Sequence, residues 1–386
     1  MRYDSARLAG SSPAVTLRRR AEFDGDFFLL VLLLLGMGVL MVFSASFPRA
    51  YYDPSGVTGG RAWYYFVRQL IYALLGLGLL LLCARLPMGF YRRWAFPFLG
   101  LTLVLLALVP LIGVKANGSR RWLGVGSLTV QPSELAKLAV ILCFSAMICR
   151  YREQMRSFRR GILPFLGILA AIVGLLVLEP HFSASVIILA LGGCMLFLGG
   201  AGLGWFAAAL GGLGGGLFVL LTFFPYASSR INTWRDPFSS PSSEGYQIVQ
   251  SLYAIGSGGL TGLGLGAGRQ KYLYLPEEHN DFIFSVVCEE LGFLGAALIL
   301  LLFALLILRG YRIALGCEDR FAFLVCAGIT TLLALQVFLN VAVVTNLLPC
   351  TGISLPFFSY GGTALLIQMG EMGIVLSASR ERKERD

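Results

Sequence analysis

The chain has 386 residues, 57% of them hydrophobic and only 13% charged. Its mean hydropathy is +0.76, a balance that excludes an ordinary soluble domain and a disordered chain. The formal charge of +10 raises the question of nucleic acid. The basic residues follow the loops between apolar runs, however, and no pattern of a nucleic-acid fold is visible, so no such partner is expected.

Apolar runs of about 18 or more residues recur along the whole length, which predicts an all-α polytopic membrane protein; a β-barrel would show short alternating segments instead. Ten transmembrane helices are predicted, at 27–46, 66–84, 96–114, 133–149, 161–179, 182–199, 203–224, 282–308, 321–345 and 361–379. The first run has full membrane length and no small-residue cleavage site follows a short core, so residues 1–26 read as a retained tail. Only Glu179-Pro180-His181 separates the fifth and sixth spans, which predicts a tight corner.

An even count of spans puts both termini on one side. The segments 1–26, 85–93, 150–160, 309–320 and 380–386 hold 20 Lys and Arg residues, and the opposite set holds 9. The bias places the tails 1–26 and 380–386 in the cytoplasm, on either side of a membrane domain 27–379. The long loop 225–281, between spans 7 and 8, is then extracellular, and long loops in compact proteins are usually functional. No phosphate-binding GxxxxGK[ST] loop and no solenoid repeat is present. The eight cysteines lie in or beside apolar spans without CxxC or Cys/His spacing, so they read as free thiols and no metal site is predicted.

The polar motifs follow in chain order. Lys115, Arg120 and Arg121 flank Asn117-Gly118-Ser119 on the side where cations are scarce; a phosphate ligand would explain them, and so would plain loop solubility. In Gln131-Pro132-Ser133-Glu134-Leu135-Ala136-Lys137, Pro132 suits a first helical turn, and Glu134 and Lys137 share a face three residues apart. An unpaired cation at mid-membrane costs roughly 2.5–3.5 kcal/mol, so Lys137 is either half of a structural ion pair or lines a polar cavity for an anionic head group. Arg269 and Lys271 follow the glycine-rich stretch from Gly258 to Gly268, which no strand pattern precedes, so a dinucleotide site is not expected.

The segment Pro276-Glu277-Glu278-His279-Asn280-Asp281-Phe282-Ile283-Phe284 carries the strongest signal. It places three carboxylates and one of the two histidines within five residues at a membrane edge. Asp281 is a candidate general base, its pKa raised by Glu277, Glu278 and apolar surroundings. The competing reading is a helix N-cap. His279 either orients the site or stands by as a hydrogen-bonded neighbour. Glu289, Glu290 and Glu371 are acids inside predicted spans, where interhelical hydrogen bonding competes with a functional role. Two prolines and three glycines break the backbone between Leu348 and Thr363, which is tolerated at membrane depth where it lines a cavity.

Together these motifs resemble the SEDS family (FtsW, RodA, SpoVE) across essentially the whole chain. The matching stretches are Asn117 to Trp122, Gln131 to Lys137, Leu275 to Phe284, Glu289 to Gly292 and Leu348 to Gly362, in family order and spacing. Tyr246 to Ser251 and Ala254 to Gly259 make the chain most similar to the division and sporulation branch. The resemblance implies a peptidoglycan glycosyltransferase that polymerises lipid II at the outer face of the cytoplasmic membrane and releases undecaprenyl diphosphate. It puts the catalytic carboxylate on Asp281. Substrate contacts are expected from Lys137, Glu134, Arg121, Arg269, Lys271, Glu277, His279 and Glu290. A divalent cation, Mg or Mn, is a candidate companion of the diphosphate, without a dedicated metal cage. The partners implied are a class B penicillin-binding protein transpeptidase and other membrane proteins of the division or elongation machinery. One departure stands out: many members carry Gln-Pro-Asp after the fifth span, where this chain has Glu179-Pro180-His181, so no role is carried over to His181. A lipid II flippase is the alternative, and a scaffold that only activates a transpeptidase is a third reading.

Overall fold

The computed structural model describes residues 23–53, 56–116, 119–125, 128–202, 204–206, 232–243 and 245–381. The expected seventh span falls largely in 207–231, outside the described residues, as do most of the N-terminal tail and residues 382–386.

Apolar runs become helices where expected, and their ends follow local chemistry. Helix α1 (Gly25–Tyr51) starts at Asp24, whose carboxylate accepts from the Phe27 N–H at 3.0 Å. Helices α2 (Tyr64–Arg85) and α3 (Met88–Ile112) are separated by Leu86-Pro87, where proline forbids continuation. Helix α4 (Pro132–Arg150) opens with proline at its first position. A π-turn at Phe158–Ile162 leads into α5 (Leu163–Leu178), and the predicted corner at residues 179–181 connects it to α6 (Phe182–Leu198). Helix α7 (Tyr246–Gly258) lies within the long loop. Then follow α8 (Ile283–Gly316), α9 (Arg320–Val344) and α10 (Gly362–Ser379). Among the described residues, seven helical segments are long and apolar enough to cross a membrane. Helix α6, with 17 residues, is shorter.

Several features differ from the sequence reading. Helix α3 begins at Met88, eight residues before the expected 96, and α1 runs to Tyr51, past the expected 46. The segment between α3 and α4 is a small antiparallel sheet rather than a plain loop: β1 (Val114–Ala116) pairs with β2 (Ser119–Val125), and β2 with β3 (Leu128–Val130). Helix α8 continues eight residues beyond its expected end at 308, because Arg309 finds carboxylates at Asp24 and Asp26, each at 2.9 Å. Helix α8 is also broken at Gly292, which sits at φ 66°, ψ −169°, a conformation glycine adopts readily and other residues rarely do.

The glycine-rich stretch after α7 repairs that break. Leu263 and Gly264 donate their N–H groups to the carbonyls of Glu289 and Glu290, both at 3.0 Å, while Phe293 and Leu294 donate to Gly259 and Leu260 at 2.9 and 3.1 Å. Backbone groups freed inside a membrane helix need such partners. The side chains complete the insertion. The Glu289 carboxylate accepts the N–H of Arg269 at 2.8 Å and of Gln270 at 3.2 Å. The Lys271 ammonium donates to Glu290 at 2.6 Å, to Ser44 at 3.0 Å and to the Gly266 carbonyl at 2.8 Å. Lys271 and Glu290 are 2% and 0% exposed, so this is a closed, dry plug.

Candidate active site

At the end of the bundle where α2, α4, α8 and α10 begin, a cavity of about 350 Å³ opens, lined by both loops and helices. Each wall is built by a local device. The turn 277–282 carries Asp281 and is folded by Asn280 and Phe282 N–H groups donating to the Glu277 carbonyl at 3.0 and 3.2 Å. Glu277 occupies the left-handed region at φ 54° to allow it, a conformation that costs on the order of 1 kcal/mol or more for a non-glycine residue. Asn340 on α9 donates to the carbonyls of Asp281 and Ile353 at 2.8 and 2.6 Å. The Tyr360 N–H reaches the His279 carbonyl at 2.8 Å, and the Ser359 hydroxyl reaches the Asn280 carbonyl at 2.9 Å. The carboxylate-bearing turn is thereby pinned to the broken segment 350–361. Gly352, at φ 64°, lies against it so closely that a Cβ there would stand 3.0 Å from the Asp281 Oδ2.

Asp281 is the acid this wall presents. Burial, reinforced by the neighbouring Glu277 charge, pushes its carboxyl up to about 6, against opposing pulls from Arg121 and His279. Asp281 is not the N-cap of α8, a position held by Phe282, so the capping reading of this residue is not what the fold uses it for.

Cations line the same cavity. Lys137 pairs with Glu134 at 2.7 Å and is 3% exposed, and both line the cavity. Arg121, on β2, donates to the Pro180 carbonyl at 2.7 Å, which ties the sheet to the α5–α6 corner. Arg68, on α2, donates to the Tyr64 hydroxyl at 2.7 Å and also lines the cavity. At the corner, burial together with the Arg121 and Lys137 charges pushes His181 down to about 3, so its imidazole is neutral. Burial pushes Glu179 up to about 8 despite the nearby Arg121. At neutral pH this corner adds little negative charge to a wall that would attract an anion.

Of the residues predicted from sequence, the structure brings Asp281, Glu277, Lys137, Glu134 and Arg121 into one cavity. His279 lies behind the wall: it is 4% exposed, its ring centroid is 4.9 Å from Tyr65, and its Nδ1 is 3.4 Å from Glu278. Lys271 and Glu290 lie elsewhere, paired in the plug, and the exposed Arg269 does not line the cavity. The expectation that these three meet the substrate assumed that an unexplained cation faces a ligand; in Lys271 it faces Glu290. Sequence reasoning passed over Arg68, Tyr72, Gln336 and Tyr360, all cavity-lining. A lone arginine inside an apolar span was the available signal for the first of them. Glu371 lines a smaller, deeper cavity with Glu134, Gln336 and Gln368. Among the described residues, no group of three or more His, Cys, Asp or Glu side chains is arranged to hold a metal.

The fold and cavity define a multi-pass membrane protein with a buried carboxyl group and a set of cations lining one cavity at one end of its bundle. The sequence matches the cell cycle protein family of FtsW, RodA and SpoVE over residues 26–384, and the chain belongs to that family. It is 40% identical over 355 residues to Stage V sporulation protein E of Bacillus subtilis, covering 91% of this chain and 95% of that one. It is 39% identical over 372 residues to a probable peptidoglycan glycosyltransferase FtsW of Trichlorobacter lovleyi, covering 94% of each. Among solved structures, one described as showing structural coordination of polymerization and crosslinking by a peptidoglycan synthase complex aligns with a TM-score of 0.78 and 29% identity, over 94% of this chain and 99% of that chain. Thermus thermophilus RodA aligns with a TM-score of 0.68 and 29% identity, over 94% of this chain and 98% of that one.

Proposed function

We propose that this protein is a peptidoglycan glycosyltransferase of the bacterial cytoplasmic membrane that polymerises lipid II at the outer face. The observation that carries the reading is the cavity itself, which one carboxyl raised to about 6 shares with Lys137, Arg121 and Arg68. Glycosyl transfer needs both sides. As the acceptor sugar hydroxyl attacks the anomeric carbon, Asp281 takes the hydroxyl proton, and a pKa near the working pH suits a general base. The bond to the diphosphate breaks, and undecaprenyl diphosphate leaves with its negative charge stabilised by the cations lining the cavity. Asp281 then returns its proton to solvent. The Glu179 carboxyl, un-ionised at neutral pH, does not cancel the positive charge of Arg121 beside it.

The partner we propose is a class B penicillin-binding protein transpeptidase, supported by the similarity to a synthase complex that couples polymerization to crosslinking. The test of the function is polymerisation of lipid II by purified protein in detergent, read as glycan strands on a gel. Strand formation is expected. Absence of product from folded protein, alone and with its transpeptidase, would instead favour a flippase, which has no activity to show in detergent.

A further inference from the structure

The opposite end of the bundle carries a second built feature. Helices α2 and α10 pack along each other and end together, in Arg85 and just before Arg380. Between these ends and the start of α1 lies a groove of about 460 Å³, lined by Phe23, Leu81, Ala84, Arg85 and Arg380. Its walls are apolar and open outward, with Phe23 47% and Leu81 45% exposed. Its rim holds two guanidinium groups.

The charges around it are unevenly satisfied. At the same end, Arg309 pairs with Asp24 and Asp26, and Arg92 pairs with Asp319 at 3.6 Å and lies over the Phe321 ring. Among the described residues, no carboxylate comes within ion-pair distance of Arg85 or Arg380. Arg380 donates one bond, at 3.3 Å, to the Ala84 carbonyl. The nearest acid in sequence, Glu381, lines a small adjoining cavity with both arginines but accepts the Met88 N–H at 3.3 Å and forms no ion pair with either. Cations at helix C-termini are favoured by the helix dipole, which accounts for an arginine at each end. It does not account for two of them flanking one apolar groove.

We propose that this groove binds an anionic phospholipid of the leaflet at that end, the cytoplasmic one by the bias of basic residues. Arg85 and Arg380 hold the phosphate and head group, and Phe23, Leu81 and Ala84 hold the upper acyl chain. Arginine suits the phosphate because its planar fork donates two parallel bonds, and a lipid supplies both the charge and the apolar chain that the groove is shaped for.

The experiment is native mass spectrometry of the purified full chain with equal amounts of phosphatidylglycerol and phosphatidylcholine. Wild type is expected to retain phosphatidylglycerol preferentially. Arg85→Gln and Arg380→Gln should each reduce that preference about fivefold and the double variant about thirtyfold, if each arginine contributes on the scale of one basic residue at an anionic surface. Arg93→Gln, an exposed arginine on neighbouring α3, should leave it unchanged. Leu81→Trp, which fills the groove without touching charge, should also reduce it. Melting temperatures within a few degrees of wild type confirm that the variants fold. No preference in wild type, an unchanged preference in a folded double variant, or equal competition by glycerophosphoglycerol lacking acyl chains would each overturn the proposal. The last outcome would mark a free-anion site instead.

Discussion

Two charged clusters lie inside this membrane protein, and open volume tells them apart. In the plug, Lys271, Glu290, Glu289 and Ser44 hydrogen-bond one another and the backbone of residues 266–270. In the outer cavity, Lys137 has Glu134, but it, Arg121, Arg68 and Asp281 all line about 350 Å³ of open volume. Sequence places similar residues in both. The difference is open volume: the first cluster holds backbone together, and the second borders a cavity that can take a ligand.

Mutations at the two lysines should separate the clusters. Lys271→Met leaves the buried Glu290 without its counter-charge, held only by the Ser44 hydroxyl and the Gly266 N–H, so stability should fall by about 3–5 kcal/mol, read as a loss of thermal stability in detergent. Adding Glu290→Leu should restore much of it, because replacing both members of a buried pair by apolar groups is often neutral. Whatever Lys271→Met protein remains folded should polymerise normally; a folded but inactive variant would move the plug into the chemistry. Lys137→Met is expected to behave oppositely. The protein folds and inserts, but polymerisation falls about 10²–10³-fold, the scale of losing a transition-state charge partner. Normal turnover would make Glu134–Lys137 a purely structural pair.

Smaller effects sharpen the geometry. Gly352→Ala places a Cβ in the left-handed region beside the Asp281 carboxylate, at roughly 1–2 kcal/mol of backbone strain. Turnover should drop by about tenfold with little change in substrate KM, since Asp281 is displaced and the cationic wall is not. Unchanged turnover would mean that the carboxylate does not need this seat. The pH dependence is the mildest test. Asp281 must be ionised to act as a base, so with its carboxyl at about 6, kcat/KM should be level above pH 7 and halve near 6. It should then fall about tenfold for each further unit of acid. An acid limb near 4, where ordinary carboxylates titrate, would contradict the burial argument.

The fold was legible wherever one physical signal ran over many residues. Apolar runs marked the described membrane helices to within a few residues at most ends, and proline marked the start of α4. The break at Gly292 was not legible, because a single glycine in a continuous apolar run gives no sign that another segment will supply its hydrogen bonds. Strands of three to seven residues are too short for their pattern to show, so the sheet carrying Arg121 read as a loop. In the site, Asp281, Glu277, Glu134 and Lys137 were visible because charge at a membrane edge is costly. Lys271 and Glu290 gave the same signal for a structural reason. Charge alone does not tell who faces it; only packing showed that Lys271 meets Glu290 and that Arg68 meets the cavity.

The most direct test of the central claim, that Asp281 is the general base, is lipid II polymerisation by purified Asp281→Asn protein beside wild type. Asparagine keeps the shape of the side chain and cannot accept the proton, and Asp281 is not the cap of α8, so folding and lipid II binding should persist. Polymerisation should fall about 10²–10⁴-fold, the usual size of general base catalysis. Near-normal strand synthesis by folded Asp281→Asn would contradict the account and make the neighbouring Glu277 the next candidate.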